Sequence, residues 1–281
     1  MSTIQEDRIM DSWELPEVFD YQGRSVRYGI VGDGPPLVCV HGTPWSSFNL
    51  RHLIGKLSEH YTVYFHDLLG YGQSSKQPGD VSLGIQNEVL NQLLDHWGLE
   101  NPIIVGHDFG GATSLRTHLL NGRRFEKMVL IDPVAIAPWG SPFFRHVNEH
   151  EAAFSGIPDY IHEAIVRAYV QTAAFRELDE QTLEGIVRPW TGEEGKPAFY
   201  RQIAQANQRY TDEVQRLYAQ VSVPVLILWG REDSWVPLAK GQELESLIPG
   251  STLRVVDDAG HLVIEEKPTE LFDEMLSFLR T

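Results

Sequence analysis

Gly106-His107-Asp108-Phe109-Gly110 sets a carboxylate at the centre of a glycine-flanked turn. The apolar run Pro102 to Val105 precedes it, and a helix-like segment from Gly111 to Leu120 follows. Strand, sharp turn and helix in that order form a nucleophile elbow, with Asp where Ser usually sits. Glycines two residues before and two after the central one let the backbone pass closely, so that one side chain rises above the sheet edge. A carboxylate attacking an ester or amide would yield an anhydride, a poor product. Displacing a leaving group from a saturated carbon instead yields an ester that water can cleave.

Such an ester persists unless water is activated against it, the task of a histidine oriented by a second acid. Gly230-Arg231-Glu232-Asp233 directly follows the apolar run Val225 to Trp229, and Asp258-Ala259-Gly260-His261 follows Leu253 to Val256. Like Asp108, both lie at the carboxyl ends of strand-like runs. The chain order nucleophile, acid, histidine is that of hydrolase triads, which makes Asp108, Asp233 and His261 the candidate catalytic residues. Asp132, after Met128 to Ile131, is the rival acid. The Gly-x-x-Asp context after the seventh strand favours Asp233. Asp257 and Asp258 read as solvated or turn-forming loop acids. His41-Gly42-Thr43-Pro44 follows the run Pro36 to Val40. Oxyanion donors come from the loop after the third strand and from the residue after the nucleophile, which nominates the amides of Thr43 and Phe109.

Strands and helices must alternate to position these residues. Val18 to Tyr21, Val26 to Val31, Pro36 to Val40, Tyr61 to Phe65, Pro102 to Val105, Met128 to Ile131, Val225 to Trp229 and Leu253 to Val256 read as strands. Ile85, Val89, Leu90, Leu93, Leu94 and Trp97 recur at helical spacing. Continuous apolar runs fit parallel strands covered on both faces, so the pattern predicts an α/β fold with a doubly wound, mostly parallel sheet. The alternation breaks after Pro133. Helices are expected over Tyr160 to Phe175, Asp179 to Val187 and Pro197 to Ala219, punctuated by prolines. The division expected is a core of residues 1–132 and 222–281 with an inserted helical cap of residues 133–221. Ligands in open α/β sheets sit beyond the carboxyl ends of the strands, where such a cap would roof them.

The chain of 281 residues is 42% hydrophobic and carries a net charge of −16, with 39 acidic against 23 basic residues. Its length suits one large domain. Its charge argues against nucleic acid and anionic membranes as partners. The lone cysteine, Cys39, falls in an apolar run and reads as a small buried hydrophobe; one thiol forms no internal disulfide. Met1 to Asp20 lacks the apolar core of a signal peptide, and no segment is long enough to span a membrane. A cytoplasmic location is the expectation. The histidines show no spaced ligand cluster, so no metal and no cofactor is expected. The partners expected are a small-molecule substrate and water. The oligomeric state stays open, a homo-oligomer included.

Taken in order, His41-Gly42-Thr43-Pro44, Asp67-Leu68-Leu69-Gly70-Tyr71-Gly72-Gln73-Ser74 and Gly106-His107-Asp108-Phe109-Gly110-Gly111 resemble the HGxP, D-x-x-G-x-G-x-S and GHDxGG motifs of α/β-hydrolases with an aspartate nucleophile. That branch holds epoxide hydrolases and haloalkane dehalogenases. The resemblance covers about Val18 to Leu279 and implies the α/β-hydrolase fold. It also implies a pocket to which His41 contributes. Dehalogenases of the branch usually carry a halide-holding Trp after the nucleophile, where this chain has Phe109, and Thr43 stands where some members have Asn. Epoxide hydrolases use two cap tyrosines that hydrogen-bond the epoxide oxygen. Of Tyr160, Tyr169, Tyr200, Tyr210 and Tyr218, rough position selects Tyr160 and Tyr210. Trp139 and Trp190 are the candidates to line the pocket or hold a halide. Epoxide opening is thus the favoured reading and haloalkane or haloacid dehalogenation the alternative. Asp108 argues against a serine-type esterase or carbon–carbon hydrolase. The full set of motifs argues against a non-catalytic binding homologue.

Overall fold

The computed structural model describes residues 13–281, and the acidic residues 1–12 lie outside the described residues. Eight strands form one sheet in the order β1-β2-β4-β3-β5-β6-β7-β8. β1 (Glu17–Tyr21) and β2 (Arg24–Val31) pair antiparallel through a tight turn, where Gln22 and Gly23 adopt φ of 55° and 82°. Two positive φ values give the turn whose twist matches such a hairpin. β2 also runs antiparallel to β4 (Thr62–His66). The pairs formed with and among β3 (Pro36–Val40), β5 (Ile103–His107), β6 (Met128–Ile131), β7 (Val225–Gly230) and β8 (Thr252–Val256) are parallel. Every residue of β5, β6 and β7 is buried, which is why those runs are apolar without alternation.

Helices α1 (Arg51–Leu57), α2 (Leu83–His96) and α3 (Phe109–Leu119) flank the first half of the sheet. From β6, the chain enters an insertion of α4 (Pro142–Glu149), α5 (Glu151–Ser155), α6 (Asp159–Gln171), α7 (Glu180–Val187), α8 (Gly192–Gln205) and α9 (Arg209–Gln215), with no strand among its described residues. After β7 come α10 (Leu238–Leu247), β8, α11 (Val263–Glu266) and α12 (Pro268–Leu279). β4 lies on one side of β3 and β5 on the other, so successive connections diverge between β3 and β5. That is a switch point, where loops part and leave a crevice. The loops ending in Thr43 and Asp108 meet there.

The insertion differs from its sequence pattern in two places. The single helix expected over Pro197 to Ala219 is two helices, and the first begins at Gly192, ahead of the proline. The break falls at Ala206, whose ψ of 120° is extended. There the Asn148 side chain donates to the carbonyls of Ile203, Ala204 and Ala206. A side chain from α4 thus satisfies carbonyls that another helical turn would otherwise occupy. α4 and α5 lie in a stretch whose prolines read as breakers. Pro142 instead opens α4, and the Ser141 hydroxyl caps it by accepting from the Phe144 amide at 3.1 Å.

Candidate active site

Asp108 sits between β5 and α3 with φ 54° and ψ −120°, a strained conformation costing about 1–3 kcal/mol. The surroundings hold it there. Its amide donates to the Ile131 carbonyl at 3.1 Å, and its carbonyl accepts from Gly111 at 3.0 Å and Val134 at 3.2 Å. A Cβ on Gly110 would lie 2.0 Å from the Val40 carbonyl oxygen, so only glycine lets α3 begin this close to β3. Gly42 plays the matching part in the facing loop, where a Cβ would lie 2.1 Å from Oδ1 of Asp108. The close approach lets the Thr43 amide donate to Oδ1 at 2.6 Å. Phe109 opens α3, and an amide in the first turn of a helix has no intrahelical acceptor.

His261 stands on the loop after β8. Its Nε2 lies 3.0 Å from Oδ2 of Asp108 and its Nδ1 lies 2.7 Å from Oδ2 of Asp233. Burial alone would lower the imidazole pKa. The Asp233 charge and the hydrogen bonds to Asp108 and Asp233 outweigh burial and hold it well above the ordinary histidine value. Asp233 is fixed in turn, because its Oδ1 accepts from the amides of Trp235 and Val236, both at 2.8 Å. Asp132 is also near. Its ligating atoms and those of Asp233 and His261 lie within 4.8 Å of one another, the one such grouping among the described residues. It is held differently, with φ 39°, Oδ1 accepting from the Gly230 amide at 2.9 Å, and Oδ2 without a partner. Burial, then the Asp233 charge, raise its carboxyl well above the usual range. Nδ1 of His261 is already taken by Asp233 and Oδ1 of Asp132 by the Gly230 amide, so this grouping offers a metal ion few free donor positions.

His41 lies fully buried beneath this site. Its Nε2 accepts from the Leu68 amide at 2.9 Å, so Nδ1 carries the proton donated to the Gly42 carbonyl at 2.8 Å. Burial lowers its pKa to about 4. Expected in the pocket, His41 instead joins the Thr43 loop to the Asp67 turn.

A cavity of about 30 Å³ opens above Asp108, room for about two waters. Thr43, Phe109, Val134, Trp139, Ser141, Phe144, Tyr169 and Trp235 are among its walls, and no Lys or Arg lines it. A larger hollow of about 400 Å³ lies beside Trp13, Phe48 and Arg188, with no triad residue in its walls. Trp139 walls the small cavity with its ring, but its indole N–H donates to Oγ1 of Thr211 at 2.9 Å. The indole of Trp190 donates to the Pro44 carbonyl at 2.7 Å, so neither N–H faces the cavity.

The two tyrosines selected by position stand elsewhere. Tyr160 is 73% exposed. Tyr210 packs against Gly84 beneath the guanidinium groups of Arg116 and Arg209, and its hydroxyl accepts from Arg209 at 2.7 Å. Tyr169 alone of the insertion tyrosines lines the cavity. Its ring stacks on Trp235 at 4.6 Å, and Trp235 stacks on His261 at 5.4 Å. Burial pushes the Tyr169 phenol up and the Asp108 charge adds to this, while the Ser141 hydroxyl works the other way. Helix phase carried the signal. His162, Val166 and Val170 are the buried stripe of α6; Tyr169 lies seven residues from the first and three from the second, on the same face. Tyr160 lies off that stripe.

The model of the alpha/beta hydrolase fold family matches residues 35–268. An alpha/beta hydrolase fold protein from Burkholderia ambifaria superposes with a TM-score of 0.92 at 46% identity, covering 94% of this chain and 98% of that one. An uncharacterized hydrolase, YugF, from Bacillus subtilis (strain 168) is 28% identical over 87% of this chain and 89% of its own. A soluble epoxide hydrolase from Corynebacterium sp. (strain C12) is 24% identical over 91% of this chain and 94% of its own. With the family matched over residues 35–268, most of its length, this chain belongs to the α/β-hydrolase family.

Proposed function

We propose that this hydrolase works through an alkyl ester on Asp108 and opens small, neutral, largely apolar epoxides. The observation that carries the reading is the division of labour at the Asp108 carboxylate. Oδ1 is held by the Thr43 amide and Oδ2 lies against His261. Oδ2 attacks an epoxide carbon, the carbon–oxygen bond breaks, and the ring oxygen takes a proton or a strong hydrogen bond from the Tyr169 hydroxyl. Esterification removes the Asp108 charge that helped keep the proton on His261; that proton passes through solvent to the pair formed by the opened oxygen and Tyr169, which leaves the imidazole neutral and able to act as base. Water, deprotonated by His261, adds to the carboxyl carbon. Its oxyanion forms on Oδ1, where the amides of Thr43 and Phe109 receive it. Collapse expels the alkoxide, which takes a proton from His261 to give the diol, and the Asp108 carboxyl passes its own proton to His261, restoring the charged pair.

Leaving-group chemistry favours epoxides over halides. An alkoxide is a strong base that needs a hydroxyl donor, and Tyr169 supplies one, with Ser141 beside it. The indoles of Trp139 and Trp190 that could hold a halide are committed to protein acceptors. A carboxylate-bearing haloacid would enter beside the Asp108 carboxylate with no Lys or Arg in the wall, an unfavourable burial of charge. The likeness to the Corynebacterium epoxide hydrolase points the same way. In the test, His261→Gln protein is incubated with a panel of small epoxides and haloalkanes. The peptide holding Asp108 should gain the mass of an intact epoxide. A gain equal to a haloalkane's alkyl group alone would move the reading to dehalogenation, and no gain with any compound that wild-type protein consumes would remove the ester.

A further inference from the structure

The turn between α6 and α7, residues 172–176, grips both loops that carry the partners of Asp108. On the acid loop, the Trp235 indole donates to Oγ1 of Thr172 at 3.0 Å, and the Ser234 hydroxyl donates to the Thr172 carbonyl at 3.2 Å. On the histidine loop, the Leu262 amide donates to the Ala173 carbonyl at 3.2 Å. The Glu266 carboxylate closes the grip. Its Oε2 accepts from the Gly260 amide at 2.7 Å and from Phe175 at 3.2 Å, and its Oε1 accepts from Arg176 at 2.8 Å. Gly260 and Leu262 are the residues on either side of His261. A Cβ on Gly260 would lie 2.7 Å from both the Ala173 carbonyl oxygen and the Phe175 nitrogen, so the two segments touch backbone to backbone.

One carboxylate thus takes three amide donors from segments about 90 residues apart, and such charge-assisted bonds are the strong ones. The imidazole is fixed from two sides in the free enzyme, by Asp108 and by Asp233. Once Oδ2 of Asp108 carries an alkyl group, the first anchor is gone. His261 must then be held over the ester by Asp233 and by its own backbone. We infer that Glu266 is a positioning residue for the hydrolytic half-reaction, tying the His261 backbone to the insertion while Asp108 is esterified. The inference rests on the two-step reading above. It adds that the insertion, besides roofing the cavity, sets the geometry of the second step.

Glu266→Ala and Glu266→Gln in the full chain test it by single-turnover kinetics with an epoxide that wild-type protein consumes. Glutamine keeps one acceptor oxygen and should hold one side of the grip. Ester formation should stay near the wild-type rate in both variants. Hydrolysis should slow by roughly 10- to 100-fold in Glu266→Ala, the scale of a misplaced catalytic group, and less in Glu266→Gln, so that the ester accumulates. The low-field proton shared by His261 and Asp233, read by NMR, should shift or broaden in the same order. Equal slowing of both steps, or unchanged hydrolysis, would overturn the inference. If Glu266→Ala does not fold, Glu266→Gln alone decides it by the same two rates. If neither wild-type nor His261→Gln protein ever carries an adduct, the ester reading fails by itself. The NMR signal then decides positioning, and an unchanged resonance in Glu266→Ala overturns it.

Discussion

Asp108 and Thr43 line the floor of the cavity, with His261 and Asp233 hydrogen-bonded behind Asp108, and each comes from a loop at the carboxyl end of a strand. Trp139, Ser141, Phe144 and Tyr169 form the roof, and each comes from the insertion. The floor is polar and closed on itself, since its hydrogen bonds run from Thr43 through Asp108 and His261 to Asp233 and on to the amides of Trp235 and Val236. The roof is mostly rings, and its indole donor is spent on Thr211. On the reading proposed above, a floor of this kind sets up a covalent ester before any substrate is specified. On the same reading, the roof selects the leaving group through the one phenol it presents.

Asp233→Asn attacks the floor and should have the largest effect. Losing the acid that orients and charges His261 should slow ester hydrolysis by about 10⁴-fold, as in serine triads, with ester formation less affected. Rapid-quench measurement of both steps checks it. Asp132→Asn, a few ångströms away, should leave both steps near wild type. The reverse ranking would make Asp132 the triad acid.

Tyr169→Phe attacks the roof. Removing the one insertion phenol that lines the cavity should raise the ring-opening barrier by about 3 kcal/mol, the size of an oxyanion donor. Hydrolysis of a preformed ester should be spared. Pre-steady-state ester formation in the variant measures this, and a slower second step with a normal first would break the assignment of floor and roof.

The smallest effect is on stability. Burial raises the Asp132 carboxyl above its ordinary value of 3.8. A carboxyl that holds its proton more tightly in the folded chain favours the fold at low pH, and that contribution is lost as pH rises from about 4 through the raised value. Asparagine keeps the oxygen that accepts from Gly230 and never ionises. Asp132→Asn should therefore match wild type near pH 4 and gain in Tm relative to it as pH rises toward 8. Thermal melts across that range check the slope, and a constant difference would contradict it.

The floor could be read from the chain because its chemistry is tied to local backbone. Asp108 needs glycines at fixed offsets, and Thr43, Asp233 and His261 each follow an apolar run that stops where the strand stops. Parallel strands buried on both faces leave an unmistakable run of apolar residues, and all eight strands lie within two residues of the runs that mark them; β2 begins two residues ahead of its run and β5 ends two beyond its own. The roof is specified by contacts between distant segments. Asn148 splits the expected long helix by taking its carbonyls, which no local pattern encodes. Tyr160 and Tyr169 look alike until the buried stripe of α6 fixes the helix phase. His41 reads as a pocket residue from its motif, yet its role depends on the Leu68 amide 27 positions away. Glu266 has no motif-like surroundings, and its three donors come from the loop before it and from the insertion.

In the proposed reaction, water attacks the Asp108 carboxyl carbon and not the substrate. A single turnover in ¹⁸O-labelled water, with enzyme in excess over epoxide, tests it most directly. The label should appear in the peptide that carries Asp108, and the first-turnover diol should contain none. Labelled diol with an unlabelled Asp108 would mean that water opens the substrate directly and would contradict the covalent account.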